Sequence, residues 1–170
     1  MVRALKTQKL SLRSGDLLVI KHKIVSKAEG QLVELSSIKP SSAAKKWSQQ
    51  AGTDARIVEL ALRESRAVVR KKVIGGHGVL ITETRHGLVC ANSGVDLSNV
   101  TGGKHALLLP KDPDKSAAQL RSAIQRRTGT SVAVIISESF GRPWREGLTE
   151  VAIGVAGMKP LLDLRGKRDP

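Results

Sequence analysis

The segment Val79-Leu80-Ile81-Thr82-Glu83-Thr84-Arg85-His86-Gly87-Leu88-Val89-Cys90-Ala91 holds two apolar runs around a short polar turn. Val79 to Thr84 and Leu88 to Ala91 read as strands, and Arg85-His86-Gly87 as the turn of a hairpin. A hairpin makes its strands antiparallel, so a chain built around one is not a strict βαβ alternation. The expected class is α+β, with mixed sheets and packed helices.

Upstream, Leu17-Leu18-Val19-Ile20 follows the turn signal Ser14-Gly15-Asp16 and reads as a buried strand. Lys21 to Lys27 lie at its end, and Gly30 closes that segment. Pro40-Ser41-Ser42 opens a helix with Ser41 as N-cap, and Gly52 ends it. Thr53 is expected to cap a second helix, Asp54 to Arg70, because Ile57, Leu60, Ala61 and Val68 recur at three- and four-residue spacing. On that reading Arg63, Arg66, Arg70, Lys71 and Lys72 are helix surface, with substrate steering as the lesser role. Downstream, Asn92 to Gly103 is expected to be irregular and His105 to Leu109 a strand. Asp112-Pro113 starts a helix that runs to Thr128 and stops at Gly129. Ser131 to Ser137 is the most apolar strand, followed by a glycine-punctuated segment to Gly157.

The chain has 170 residues, enough for one domain and marginal for two. Lys and Arg total 29 against 15 Asp and Glu, so the formal charge of +14 points to an anionic partner. Aromatics are Trp47, Trp144 and Phe140, too few to stack bases on aromatic platforms. The single cysteine, Cys90, excludes an intrachain disulfide framework and a multi-cysteine zinc site, and fits a reducing compartment. It reads as a small buried residue rather than a nucleophile. No membrane span or signal peptide is recognisable, and a soluble cytoplasmic domain is expected.

Neither a G-x-x-x-x-G-K-[ST] nor a G-x-G-x-x-G pattern occurs, and the four histidines are isolated from one another. Three clusters carry chemistry instead. Lys21-His22-Lys23-Ile24-Val25-Ser26-Lys27-Ala28-Glu29-Gly30 places lysines where they neutralise a polyphosphate, or form a solvated basic strand end. Cys90-Ala91-Asn92-Ser93-Gly94-Val95-Asp96-Leu97-Ser98-Asn99 offers a carboxylate and an amide three residues apart, which suit a hard cation or a phosphate-bearing ligand. The same Asx residues also fill ordinary turns. Ser137-Glu138-Ser139-Phe140-Gly141-Arg142-Pro143-Trp144-Arg145 follows the apolar strand, at a strand end where sheets place ligands. There Glu138 suits a metal, and Arg142 and Arg145 suit phosphate or carboxylate.

In this order, and joined by Ile81–Ala91, Leu107-Leu108-Leu109-Pro110, Asp112-Pro113-Asp114, Val151–Gly157 and Leu161-Leu162-Asp163, the clusters resemble the coenzyme F420-0:L-glutamate ligase family. The resemblance runs from about Ser14 onward. It implies a gamma-glutamyl ligase-like fold, and GTP with Mn²⁺ or Mg²⁺, K⁺ being a further cation. It implies an amide formed between L-glutamate and the carboxylate tail of coenzyme F420-0, through an acyl phosphate. Carried over by position, His22, Lys23, Lys27 and Asn99 fall on nucleotide contacts. Asp96, Glu138 and Ser139 fall on metal ligands, the last two where the family usually has Asp-Thr. Glu138 is one methylene longer than Asp, which shifts the metal or its water. A homodimer is implied by the resemblance alone. Family chains also carry a proline-containing nucleotide segment before Arg3 and a region beyond Pro170. Residues 1–170 are therefore expected to be a partial domain, incomplete or inactive as it stands. The competing expectation is a basic, non-catalytic nucleic-acid-binding module; it is disfavoured by the few aromatics and by the lack of a recognisable binding motif.

Overall fold

A computed structural model describes residues 2–98, 101–141 and 146–167. In order the elements are α1 (Val2–Thr7), β1 (Leu17–Lys21), α2 (His22–Ala28), β2 (Leu32–Glu34), α3 (Ser42–Ala51) and α4 (Ala55–Arg63). Then come β3 (Ser65–Ile74), β4 (His77–Thr84), β5 (Val89–Ala91), β6 (His105–Leu107), α5 (Pro113–Thr128), β7 (Ala133–Gly141) and β8 (Leu148–Ala156). The strands form sheets ordered β1-β7-β8, β2-β6 and β3-β4-β5. The β1–β7 pair is parallel, whereas β2–β6, β3–β4 and β4–β5 are antiparallel. This is the α+β class expected from the hairpin. The chain divides into two compact units.

One unit comprises Met1–Lys21, Asp112–Glu138 and Val151–Pro170. Its buried apolar side chains are Ile20, Ala117, Ile124, Val132, Val134 and Ile136. Helix α5 has the expected limits: Asp112 Oδ1 accepts the Lys115 N–H at 2.9 Å, and Gly129 closes the helix at φ 72°. Arg121 on α5 donates to the Val132 carbonyl at 3.0 Å and to Ser131 Oγ at 3.1 Å, which ties the helix to the start of β7. Asp114 accepts the Val155 N–H at 2.8 Å, and a Cβ on Gly154 would overlap Pro113, so β8 runs hard against the first turn of α5. Strand β1 is less buried than its apolar run suggested. Leu17 and Val19 are 48% and 60% exposed while Ile20 is buried, because alternate residues of a strand face opposite sides.

The other unit comprises His22–Lys111 and Ser139–Glu150. Ala44, Trp47 and Ala51 of α3 pack with Val58 and Ala61 of α4 and Leu80 of β4. A second cluster joins Leu35, Ile38, Ile57, Leu60 and Ala106. Ser41 caps α3 as expected, accepting the Ala44 N–H at 3.2 Å. The cap of α4 is Asp54, not Thr53; its Oδ1 accepts the Arg56 N–H at 2.8 Å. This helix ends at Arg63 rather than Arg70. The following residues form β3, and Val68 lies opposite Thr82 of β4. The β-branched Val68, Val69, Val73 and Ile74 favour a pleated strand once β4 supplies a partner. The basic residues Arg66, Arg70, Lys71 and Lys72 therefore project from a strand, and Lys71 Nζ lies 5.7 Å from the Trp47 ring centroid. Strand β2 and helix α1 were not anticipated.

Glu59 of α4 joins the two helices electrostatically. Its Oε2 accepts the Ser41 N–H at 2.9 Å, and its Oε1 accepts Arg63 Nε at 2.8 Å. The bonding to Ser41, with the Arg63 guanidinium beside it, pulls its carboxyl down from 4.5 to about 2. A depressed carboxyl stabilises the fold above its unfolded value and loses that contribution as pH falls through the folded value. Acid titration of thermal stability should therefore fall between about pH 4.5 and 2, and Glu59→Gln should remove on the order of 2 kcal/mol at pH 7 while flattening that acid limb. Identical acid limbs in the wild type and the variant would refute this.

Candidate functional site

Helix α2 starts where β1 ends, and its seven residues expose two different faces. His22 and Ser26, one turn apart, are fully buried, with His22 Nδ1 3.2 Å from Ser26 Oγ. Lys23 and Lys27, also one turn apart, share another face, Lys23 half-buried and Lys27 exposed. The lysines thus stand on a helix rather than on the strand end expected. His22 holds the inner face of α2 and presents no surface to a ligand in this conformation.

Lys23 Nζ lies 2.7 Å from Asp96 Oδ2 and donates to Ser98 Oγ at 2.5 Å. Ser98 in turn donates its N–H to Asp96 Oδ1 and its hydroxyl to Asp96 Oδ2, each at 3.0 Å. Burial pushes the Asp96 carboxyl up, but the Lys23 ammonium and the Ser98 N–H and hydroxyl outweigh it and hold the group below the usual carboxylate range. Ser98 completes this corner and was not singled out from sequence; its two-residue spacing from Asp96 is the Asx-turn signal that pointed to it.

The Asp96 loop is fixed from beneath. Asn92, Ser93 and Gly94 take φ of 50°, 53° and 71°, three left-handed residues in succession. For Asn92 and Ser93 that conformation is sparsely populated and persists only when neighbours impose it. Ser93 is buried, donates its hydroxyl to the Ala61 carbonyl at 2.8 Å, and places its N–H 2.9 Å from Thr82 Oγ1. Backbone bonds of 3.0 and 2.8 Å between Asp96 and Leu107 then bridge the loop to β6. Ser93 and Thr82 thus position Asp96 without touching it.

In the third cluster, Ser139 donates its hydroxyl to Glu150 Oε1 on β8 at 2.7 Å. Glu138 and Ser139 are neighbours on β7, so their side chains project to opposite faces. Glu150 adds a carboxylate that sequence spacing could not connect with Ser139. Asp96 and Ser139 belong to one unit and Glu138 to the other. Asn99, Arg142 and Arg145 lie outside the described residues. Among the described residues no group of three or more His, Cys, Asp or Glu could hold a metal ion. Cys90 is buried, as expected for a packing residue. No helix among the described residues is long and apolar enough to cross a membrane.

The sequence profile of the family described as F420-0:Gamma-glutamyl ligase matches residues 1–170. The chain is 48% identical over 158 residues to the coenzyme F420:L-glutamate ligase of Methanothermobacter thermautotrophicus, covering 93% of this chain and 61% of that protein. It is 42% identical over 158 residues to the protein of the same name from Methanocaldococcus jannaschii, with the same coverage of each chain. With that of Archaeoglobus fulgidus it shares 38% over 163 residues, 96% of this chain and 63% of the relative. The chain thus spans about three fifths of the length of the curated relatives it matches. A profile match over the whole sequence, added to the clusters at Lys23, Asp96 and Glu138, identifies the chain as a member of the F420-0:gamma-glutamyl ligase family.

Proposed function

We propose that this chain carries the nucleotide- and cation-binding part of a GTP-dependent ligase that joins L-glutamate to the carboxylate tail of coenzyme F420-0. In the proposed reaction the γ-phosphoryl group of GTP passes to that carboxylate, giving an acyl phosphate. The glutamate amine then attacks the acyl carbon and expels phosphate. Such chemistry requires positioning and charge neutralisation, with no covalent protein intermediate.

The observation that carries this reading is the ammonium of Lys23 held between Asp96 Oδ2 and Ser98 Oγ. That oxygen corner already accommodates a cation, and oxygen donors suit Mg²⁺ or Mn²⁺. Asp96, Glu138 and Ser139 are the proposed metal ligands, Glu138 on a different face of β7 from Ser139 and so toward a separate ion, and bound cations would supply charge neutralisation at the phosphoryl group. Released from Asp96, Lys23 would turn to the nucleotide phosphates beside Lys27. Asn99 is the further proposed nucleotide contact, and Arg142 and Arg145 are proposed to receive phosphate or carboxylate. His22 acts by seating α2. K⁺ as an additional cation, a homodimer and a cytoplasmic location belong to the same proposal.

Calorimetry with GTP and Mn²⁺ tests it. Lys27→Ala should weaken binding about tenfold, the loss of one charge-assisted phosphate contact, whereas Arg70→Ala should change it less than about twofold. Equal losses would indicate diffuse attraction by the +14 charge instead. The second reading, a nucleic-acid-binding module, is favoured by one observation: the basic residues of β3 are exposed. It requires polynucleotide affinity that falls steeply with salt and is indifferent to Glu138→Gln.

A further inference from the structure

We propose that Lys21 and Ser137, at the carboxyl end of the parallel pairing between β1 and β7, form an oxyanion subsite. The two are the last residues in register, and paired residues of parallel strands place their side chains on the same face. Ser137 is 2% exposed, and its hydroxyl has no hydrogen-bond partner among the described residues. It follows Ala133, Val134, Ile135 and Ile136 on β7 and is the first polar residue of that strand. A buried hydroxyl without a partner is a standing cost, and in native proteins such groups mark places where another molecule completes the bond.

Lys21 supplies only donors, and the Ser137 hydroxyl donates or accepts. A ligand that satisfies both presents negatively charged acceptor oxygens, which means a phosphate or a carboxylate. Leu17 and Val19 lie on the same face of β1 as Lys21 and are 48% and 60% exposed, so that face of the strand is open beside the subsite. Glu138 projects to the opposite face of β7, so its charge does not crowd an anion beside Ser137. The carboxyl end of a parallel pair is also where open sheets bind ligands.

The oxyanion has two possible sources, the nucleotide phosphates or the acceptor carboxylate, and that part of the inference rests on the ligase reading. Inorganic phosphate, titrated by calorimetry into the 170-residue chain, tests the subsite without assuming ligase activity. Ser137→Ala should weaken phosphate about tenfold, and Lys21→Met should weaken it at least as much. Without ligand, Ser137→Ala should melt at the wild-type temperature or about 2 °C higher, because it deletes an unpartnered group. Phosphate affinity untouched by Ser137→Ala, or absent from the wild type, would overturn the subsite. So would a lowered melting temperature, the mark of a hydroxyl bonded within the fold. Should Ser137→Ala fail to fold, Lys21→Met carries the binding comparison alone. GTP with Mg²⁺ and coenzyme F420-0 are then titrated separately. Loss confined to GTP assigns the subsite to phosphate, and loss confined to the coenzyme assigns it to the carboxylate. If neither ligand binds the wild type while phosphate still depends on Ser137, the ligase reading fails and the subsite stands.

Discussion

Asp96→Asn should lower Mn²⁺ affinity by about a hundredfold or more if Asp96 is the direct ligand proposed above, because losing a supporting partner alone costs ten- to a hundredfold in metal sites. The same substitution should change folding stability by only about 0.5–1 kcal/mol, the range of a partly exposed ion pair. The pair is partly exposed, with side-chain exposures of 26% for Lys23 and 22% for Asp96. The two readouts therefore diverge if Asp96 is a metal ligand and move together if it is only Lys23's partner. The Asp96–Leu107 backbone bonds survive the change, so the loop stays in place. Asparagine also leaves the Lys23 ammonium without its counter-charge, which should raise affinity for phosphate alone while abolishing metal-dependent nucleotide binding. In acid the wild type should lose cation binding as pH falls below the ordinary carboxylate range, because Asp96 is held below it. Manganese titration followed by electron paramagnetic resonance, beside thermal melts, makes the measurement. Undiminished Mn²⁺ affinity in Asp96→Asn would remove Asp96 from the metal site.

Gly78→Ala should cost about 2–4 kcal/mol, the scale of overpacking in a closed core. A Cβ at Gly78 would overlap Ala51 Cβ, and Ala51 is 1% exposed at the end of α3. The contact cannot be relieved by rotating a side chain, since alanine has no rotamer to change. Either α3 or β4 must shift. Strand β4 also carries Thr82, the hydroxyl that holds the Ser93 turn beneath Asp96. The melting temperature should fall by roughly 5–12 °C for a chain of this size. Ala51→Gly removes the obstructing methyl, so the double variant Ala51→Gly/Gly78→Ala should recover part of the loss despite the helix cost of glycine. A Gly78→Ala melting temperature within about 1 °C of the wild type would refute the close packing of α3 on β4 at this glycine.

Helix α5 was legible from end to end because its signals are local. Asp112 caps, Pro113 opens and Gly129 closes, each acting within one turn of itself. The β4–β5 hairpin was legible for the same reason, its turn being Arg85-His86-Gly87. The run after α4 was not. Its three- and four-residue spacing suits a helix, its β-branched residues suit a strand, and only pairing with β4 settles the conflict. Strand β2 is three residues long and exists through β6, a partner no local pattern could name.

The candidate site divides in the same way. Residue types and order along the chain marked Lys23, Lys27, Asp96, Glu138 and Ser139, because phosphate and hard cations demand ammonium groups and oxygen donors wherever the backbone places them. Folding made Lys23 the partner of Asp96 and Ser98, the latter 75 residues away. It also turned His22 inward and set Glu150 against Ser139. Chemical capacity is a property of single side chains and their near neighbours, so it can be read along the chain. Which capacities meet depends on burial and strand register summed over the whole structure, and no window of sequence contains that sum.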